Sequence, residues 1–204
     1  MRRLGIDEAG RGCVLGSLVV AGFFVDDVGD SALVEAGAAD SKTLSPARRT
    51  AARTLLEPLG TAIVKIIPAT AIDGGNMDRL EEHAIAEILR EARADHVVID
   101  ALGAPLSLPL RLVRLAQASG YAGPIHCAPK ADRDHPIVGA ASVFAKTTRD
   151  ALLAALDPHQ VMGSGYPSDP VTRRWLSNMI ASGTPWPSFV RTRWGTLRQG
   201  NLWS

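Results

Sequence analysis

Only two cysteines, Cys13 and Cys127, occur in this chain, too few for a disulfide framework. The five histidines do not stand near them at zinc-ligand spacings. A reducing, cytoplasmic setting is therefore expected. No apolar run approaches the ~20 residues that cross a bilayer, and no signal-peptide core precedes Asp7 and Glu8. Repeats and low-complexity stretches are missing as well. Acids are absent from Pro170 to Ser204, where five arginines and all four tryptophans lie: Trp175, Trp186, Trp194 and Trp203. The net charge of +1 thus hides a basic, aromatic tail behind 169 residues that hold 17 basic and 21 acidic side chains. Arginine interleaved with tryptophan suits a polyanion with stackable bases. A small lobe with inward tryptophans and solvated arginines carries the same pattern, and the two are compatible.

What is present is the composition of an ordinary globular protein, 46% hydrophobic and 21% charged over 204 residues. That length predicts one sizeable core with a small appended piece, divided here as 1–160 and 161–204. An apolar approach ends in Asp7-Glu8 and is followed by a strand over 17–25. The stretch 26–40 reads as a loop with room for a short helical turn. Ser45-Pro46 starts a helix, with serine as cap and proline at the first helical position. Strands are predicted at 61–67, 96–100 and 124–127. Leu80, Ala84, Ile85, Ile88, Leu89 and Ala92 repeat at helical spacing. Helices are predicted over 108–118, over an alanine-rich 137–156, and from Asp169-Pro170 to about 180. Strands early and helix–strand alternation later imply an α/β fold, a mixed sheet flanked by helices with a C-terminal helical piece.

Acids are poor strand formers, so Asp7-Glu8 at a strand end calls for a reason. The Gly10-Arg11-Gly12 turn that follows brings bare backbone N–H groups close to any ligand. Asp100 closes another strand, and Asp132 lies just before the long helix. Ligands of α/β sheets sit beyond strand ends, where these four carboxylates can share one small volume. Unit charges ~4 Å apart repel by ~4 kcal/mol at an effective dielectric near 20, and a divalent cation relieves that. All-oxygen ligands favour Mg²⁺ or Mn²⁺, and two such ions suit an in-line displacement at phosphorus. Capping is the plainer role: of the following helix by Asp132, of a turn by Asp100. Asp150, beside Arg149 in the long helix, is expected to be a surface ion-pair residue.

Five motifs occur in order along the chain: Asp7-Glu8-Ala9-Gly10-Arg11-Gly12; Asp40-Ser41-Lys42-Thr43-Leu44; Lys130-Ala131-Asp132; Ala140-Ala141-Ser142 with Ala145-Lys146; and Ser164-Gly165-Tyr166-Pro167. Together they resemble type 2 ribonuclease H (ribonuclease HII), to about Trp194. Asn76-Met77-Asp78-Arg79-Leu80-Glu81 and the Ser-Gly-Tyr-Pro loop are closer to its archaeal and eukaryotic branch. The resemblance implies a ribonuclease H-like, five-stranded mixed sheet flanked by helices, with a C-terminal helical extension for substrate. It implies an endoribonuclease that hydrolyses the RNA strand of RNA–DNA hybrids. Such an enzyme also cuts 5′ to single ribonucleotides in duplex DNA, leaving a 3′-hydroxyl and a 5′-phosphate. By the same resemblance Asp7, Glu8, Asp100 and Asp132 hold two Mg²⁺ or Mn²⁺ ions. The Gly10, Arg11 and Gly12 backbone senses the ribose 2′-hydroxyl, the group that separates RNA from DNA. Tyr166 stacks on the next sugar, while Ser41, Lys42, Lys130, Ser142 and Lys146 support phosphate or the active site. A non-catalytic hybrid-binding module would be expected to lack a carboxylate, and all four are here. Two departures stand out: Cys13 replaces a common proline, which puts the strength of junction selectivity in question, and Gly139 replaces a common serine. Gln199 and Leu202 lack the paired aromatics of a sliding-clamp tail, so no clamp partner is expected, and the chain is expected to act as a monomer.

Overall fold

β-Branched and aromatic side chains fill β2 (Leu18–Asp26), while β1 (Arg2–Ala9) brings Leu4 and Ile6 ahead of its two acids; both strands are buried along most of their length. Their burial on both faces marks them as the middle of the sheet. The computed structural model describes residues 1–38, 44–100, 107–159 and 161–198. Around these strands lie β3 (Thr61–Ile67), β4 (His96–Asp100) and β5 (Ile125–Ala128). The sheet order is β3-β2-β1-β4-β5. β1–β2 and β2–β3 pair antiparallel, while β1–β4 and β4–β5 pair parallel. This is the mixed, five-stranded, helix-flanked α/β sheet expected above.

The helices are α1 (Asp30–Glu35), α2 (Pro46–Leu56), α3 (Ala69–Gly74), α4 (Met77–Ala92), α5 (Leu108–Ser119), α6 (Ala131–Asp134), α7 (Pro136–Leu156), α8 (Pro170–Ser182) and α9 (Gly195–Arg198). Ser45 caps α2 by accepting from Arg48 N–H at 3.3 Å, with Pro46 in the first turn, as that dipeptide predicts. Asn76 and Asp169 cap α4 and α8 in the same way, at 3.1 and 2.9 Å. Of three short helices, α1 is the helical turn allowed for within 26–40, while α3 and α6 went unforeseen. With four to six residues each they are too short to show a period, and each buries only one or two side chains. β1 also runs one residue past Glu8, so the acids lie within the strand's last turns of pairing rather than at its tip.

One apolar cluster packs α7, α1 and α2 on one sheet face, including Ala21, Phe23, Val138 and Phe144. Another packs α4 and α5 on the other face, including Leu4, Ile6, Ile85 and Ile88. Alanines and glycines on the α7 side let its backbone press against β1: a Cβ added at Gly5 would lie 2.2 Å from the carbonyl oxygen of Ile137. A third cluster joins Met162, Leu176 and Val190 of the C-terminal piece to Val14, Leu15 and Leu153. Trp175, Trp186 and Trp194 pack against it, so these rings face inward. Among the described residues no helix is long and apolar enough to cross a membrane.

Candidate active site

The parallel register of β1 and β4 pairs Ile6 with Ile99, and the next residues of the two strands are Asp7 and Asp100. β5 pairs Ala128 with Asp100, then the chain turns through Lys130, at φ +61°, into α6 and Asp132. Asp100 Oδ1 accepts the Ala131 N–H at 2.9 Å, which ties the start of α6 to the end of β4. One carboxylate oxygen from each of Asp7, Asp100 and Asp132 lies within 4.8 Å of the other two. Asp7 and Asp132 are buried and Asp100 is half-buried. Asp132 thus sits inside α6, and the residue that caps α7 is His135.

Glu8 stands beside this trio and outside it. Neighbouring residues of a strand face opposite ways, and Glu8 lies toward α4, near Arg11 and Glu81. Desolvation, followed by the charges of Asp7, Glu81 and Asp100, pushes its carboxyl well above the usual range, against the pull of Arg11. Burial, with help from Asp100, raises Asp7 to about 6, although a Ser142 hydrogen bond and Lys146 act the other way. Asp7 Oδ2 is buried without a hydrogen-bond partner. An orphaned carboxylate oxygen beside two more acids is a donor set that fits a hard divalent cation.

That fit has a measurable consequence. In the metal-free protein a carboxyl raised to about 6 from 3.8 contributes stability below the lower value, and this is lost as pH rises through the upper one. A cation binds the deprotonated trio, so it stabilises most where protons no longer compete. Added Mg²⁺ is expected to raise the melting temperature by several degrees at about pH 8 and by less than half as much at about pH 5. Equal shifts at both pH values in thermal melts would remove Asp7 from the cation site.

α7 presents Ser142 and Lys146, four residues apart, on the face toward Asp7, with Arg149 one turn further on. Lys146, Arg49, Asp150, Ala9 and Tyr166 line a cleft of about 330 Å³ beside the acids. Asp150 is an ion-pair residue, 2.9 Å from Arg49 and 3.1 Å from Arg149. Lys130 is exposed in the turn before α6. Ser41 and Lys42 lie outside the described residues.

The Gly10-Arg11-Gly12 turn lies at the other rim. Gly10 has φ +89°, and a Cβ there would meet the Ser17 carbonyl oxygen at 2.7 Å, so glycine is required on both counts. Arg11 turns its guanidinium away, to Asp78 and Glu81 of α4. Glu81 also pairs with the buried Arg111 of α5 at 2.7 Å, and Arg111 with Glu82 at 2.8 Å. Arg11 therefore offers a ligand its backbone rather than its cation. Tyr166 completes the rim: its ring would lie 3.8 Å from a Cβ at Gly12, and Arg149 stacks over it at 5.1 Å.

Two arginines escaped the sequence analysis. Arg149 is buried, donates to the Ser164 carbonyl and to Cys13 Sγ, the latter at 2.9 Å, and so knits the turn to the tyrosine loop. Its helical spacing from Ser142 and Lys146 was the available signal. Arg191, counted among solvated tail arginines, is fully buried. Nothing in the composition distinguishes it from Arg193, which is exposed two residues later.

Comparison with known proteins gives a consistent result. The family model described as Ribonuclease HII matches residues 4–197. A ribonuclease HII from Aeropyrum pernix is 39% identical over 98% of this chain and 91% of its own length. The crystal structure of ribonuclease H2 from Pyrococcus horikoshii superposes with a TM-score of 0.87 at 31% identity, covering 98% of this chain and 96% of that one. Ribonuclease HII from Archaeoglobus fulgidus, solved as a complex with PCNA, gives 0.83 at 35% identity over 95% of both chains. That complex shows a relative bound to a sliding clamp, a partner not expected here; residues 199–204, on which that expectation rested, lie outside the described ones.

Proposed function

The chain belongs to the ribonuclease HII family, hydrolases that act on RNA in hybrids with DNA, and from that premise we propose how its own residues do so. The substrate is a duplex in which one strand carries ribonucleotides, down to a single one embedded in DNA. The cut falls on its 5′ side. The observation that carries this is the trio of acidic oxygens within 4.8 Å of one another, with Lys146, which acts on Asp7, lining a cleft shared with Tyr166.

Asp7, Asp100 and Asp132 would hold the cations, with Glu8, whose charge acts on Asp7 and Asp100 from outside the trio, as the fourth acid. Mg²⁺ or Mn²⁺ bound there as a pair supplies an activated water and charge stabilisation for the departing oxygen. Ser142 orients Asp7 by donating its hydroxyl. Lys146 faces the scissile phosphate across the cleft, and Lys130, Ser41 and Lys42 hold phosphates further along the strand. Water attacks phosphorus opposite the 3′-oxygen of the preceding nucleotide. The P–O3′ bond breaks and that oxygen takes a proton. The products are a 3′-hydroxyl and a 5′-phosphate on the ribonucleotide. Backbone amides of Gly10 to Gly12 read the 2′-hydroxyl, and Tyr166 stacks on the sugar that follows. The segment from 161 onward carries Tyr166 and forms the substrate-binding extension.

Comparing turnover on two substrates, a long hybrid and a DNA duplex with one ribonucleotide, tests this assignment. Tyr166→Ala is expected to lose about tenfold more on the single ribonucleotide, since one stacking contact is worth ~1–3 kcal/mol. Equal losses on both would reject the junction role of Tyr166. No cleavage of either by the wild-type chain with Mg²⁺ or Mn²⁺ would reject the activity.

A further inference from the structure

Residues 11–16 connect β1 to β2 yet make little structure alone; Cys13 N–H donates to Gly10 O at 3.2 Å. Distant residues shape them. Gly165 O accepts from the N–H groups of Val14 and Leu15, at 2.8 and 3.3 Å. Arg191 grips the segment three times: its N–H donates to Val14 O at 2.9 Å, its Nε to Gly16 O at 3.0 Å, and its Nη1 to Arg11 O at 3.2 Å.

Arg191 is fully buried, and among the described residues no carboxylate lies within ion-pair distance of it. The Trp194 ring covers its guanidinium at 5.5 Å, and Nη2 has no hydrogen-bond partner. Burial brings its pKa down to about 10. Asp73 acts on it only from beyond ion-pair distance and is bonded to Thr192 and Arg193, so burying this cation is costly, and an apolar side chain of similar size would pack as well. Packing alone therefore does not account for a guanidinium here; its bonds to turn carbonyls do.

The peptide joining Arg11 to Gly12 is trans, so its C=O and N–H point to opposite sides. With the Arg11 carbonyl drawn inward onto Arg191, the Gly12 N–H is turned outward. Gly12 is exposed, its N–H has no partner among the described residues, and Tyr166 is its neighbour. We propose that Arg191 is the positioning residue that aims the Gly12 amide at the ribose 2′-hydroxyl, so that the C-terminal segment sets ribonucleotide discrimination. This rests on the sensing role given above to the turn.

The test measures binding of the full chain, in chelator, to two duplexes of one sequence, all-DNA or with one ribonucleotide. The wild-type chain is expected to favour the ribonucleotide by about tenfold, the worth of one or two hydrogen bonds. Arg191→Lys keeps a cation and loses the planar fork. Its preference should fall below about twofold while its affinity for all-DNA duplex holds. A folded Arg191→Lys that keeps the preference, or loses affinity for both duplexes in step, overturns the proposal. No preference in the wild-type chain removes the sensing role of the turn, and this inference with it. Should Arg191→Lys fail to fold, Trp194→Leu, which frees the guanidinium, decides: a reduced preference supports the proposal and an unchanged one overturns it.

Discussion

Asp7→Asn is expected to abolish cleavage while sparing hybrid binding and stability. The asparagine keeps the shape and loses the charge that a cation needs, so kcat should fall by at least about 1,000-fold, roughly 4 kcal/mol of transition-state stabilisation. Binding of a hybrid should change by less than about threefold, because the proposed grip on the duplex lies with the turn, the lysines and Tyr166 rather than with Asp7. Stability separates this result from simple damage. Asp7 is buried, its Oδ2 lacks a partner, and its carboxyl is raised to about 6, so its charge burdens the metal-free fold at neutral pH. The variant should therefore melt at or above the wild-type temperature without metal, and gain less from Mg²⁺. Turnover that survives the substitution in Mg²⁺ would defeat the cation assignment.

The second large effect concerns spacing. Gly5→Ala places a methyl group 2.2 Å from the carbonyl oxygen of Ile137 and 2.6 Å from the amide nitrogen of Val138, both backbone atoms at the start of α7. Neither atom can rotate aside as a side-chain end would, so α7 must lift from β1. The expected cost is at least about 3 kcal/mol, the upper end of overpacking effects. For a chain of this length that is a fall of about 6–12 °C in melting temperature. Lifting α7 also withdraws Ser142 and Lys146 from Asp7, so activity should drop even in the fraction that stays folded. A melt within about 2 °C of wild type would show that helix and sheet have slack at this point.

The acids themselves were legible because chemistry and position coincide: a carboxylate where a strand ends has few other uses, and parallel strands end together. Asp7, Asp100 and Asp132 meet on that logic. Glu8 did not join them in the same way, because alternation along a strand separates neighbours even when the chemistry is alike. The Ser45-Pro46 helix start, the α4 repeat and the inward tryptophans followed from local rules. α3 and α6 did not, since a helix of one turn leaves no periodic trace. Arg11 and Arg191 show the deeper limit. One faces acids of α4 and the other is sealed beneath a tryptophan, and only tertiary contacts separate them from the solvated arginines nearby.

Val14 and Leu15 share their apolar cluster with Met162, Leu176 and Val190, and the early turn hangs on Gly165, Phe189 and Arg191. During synthesis the strands that carry Asp7 and Asp100 therefore leave the ribosome well before the residues that shape the early turn. On the role proposed for the turn, discrimination between sugars therefore waits for Gly165 and Arg191, which are made last and bond to residues 11–16.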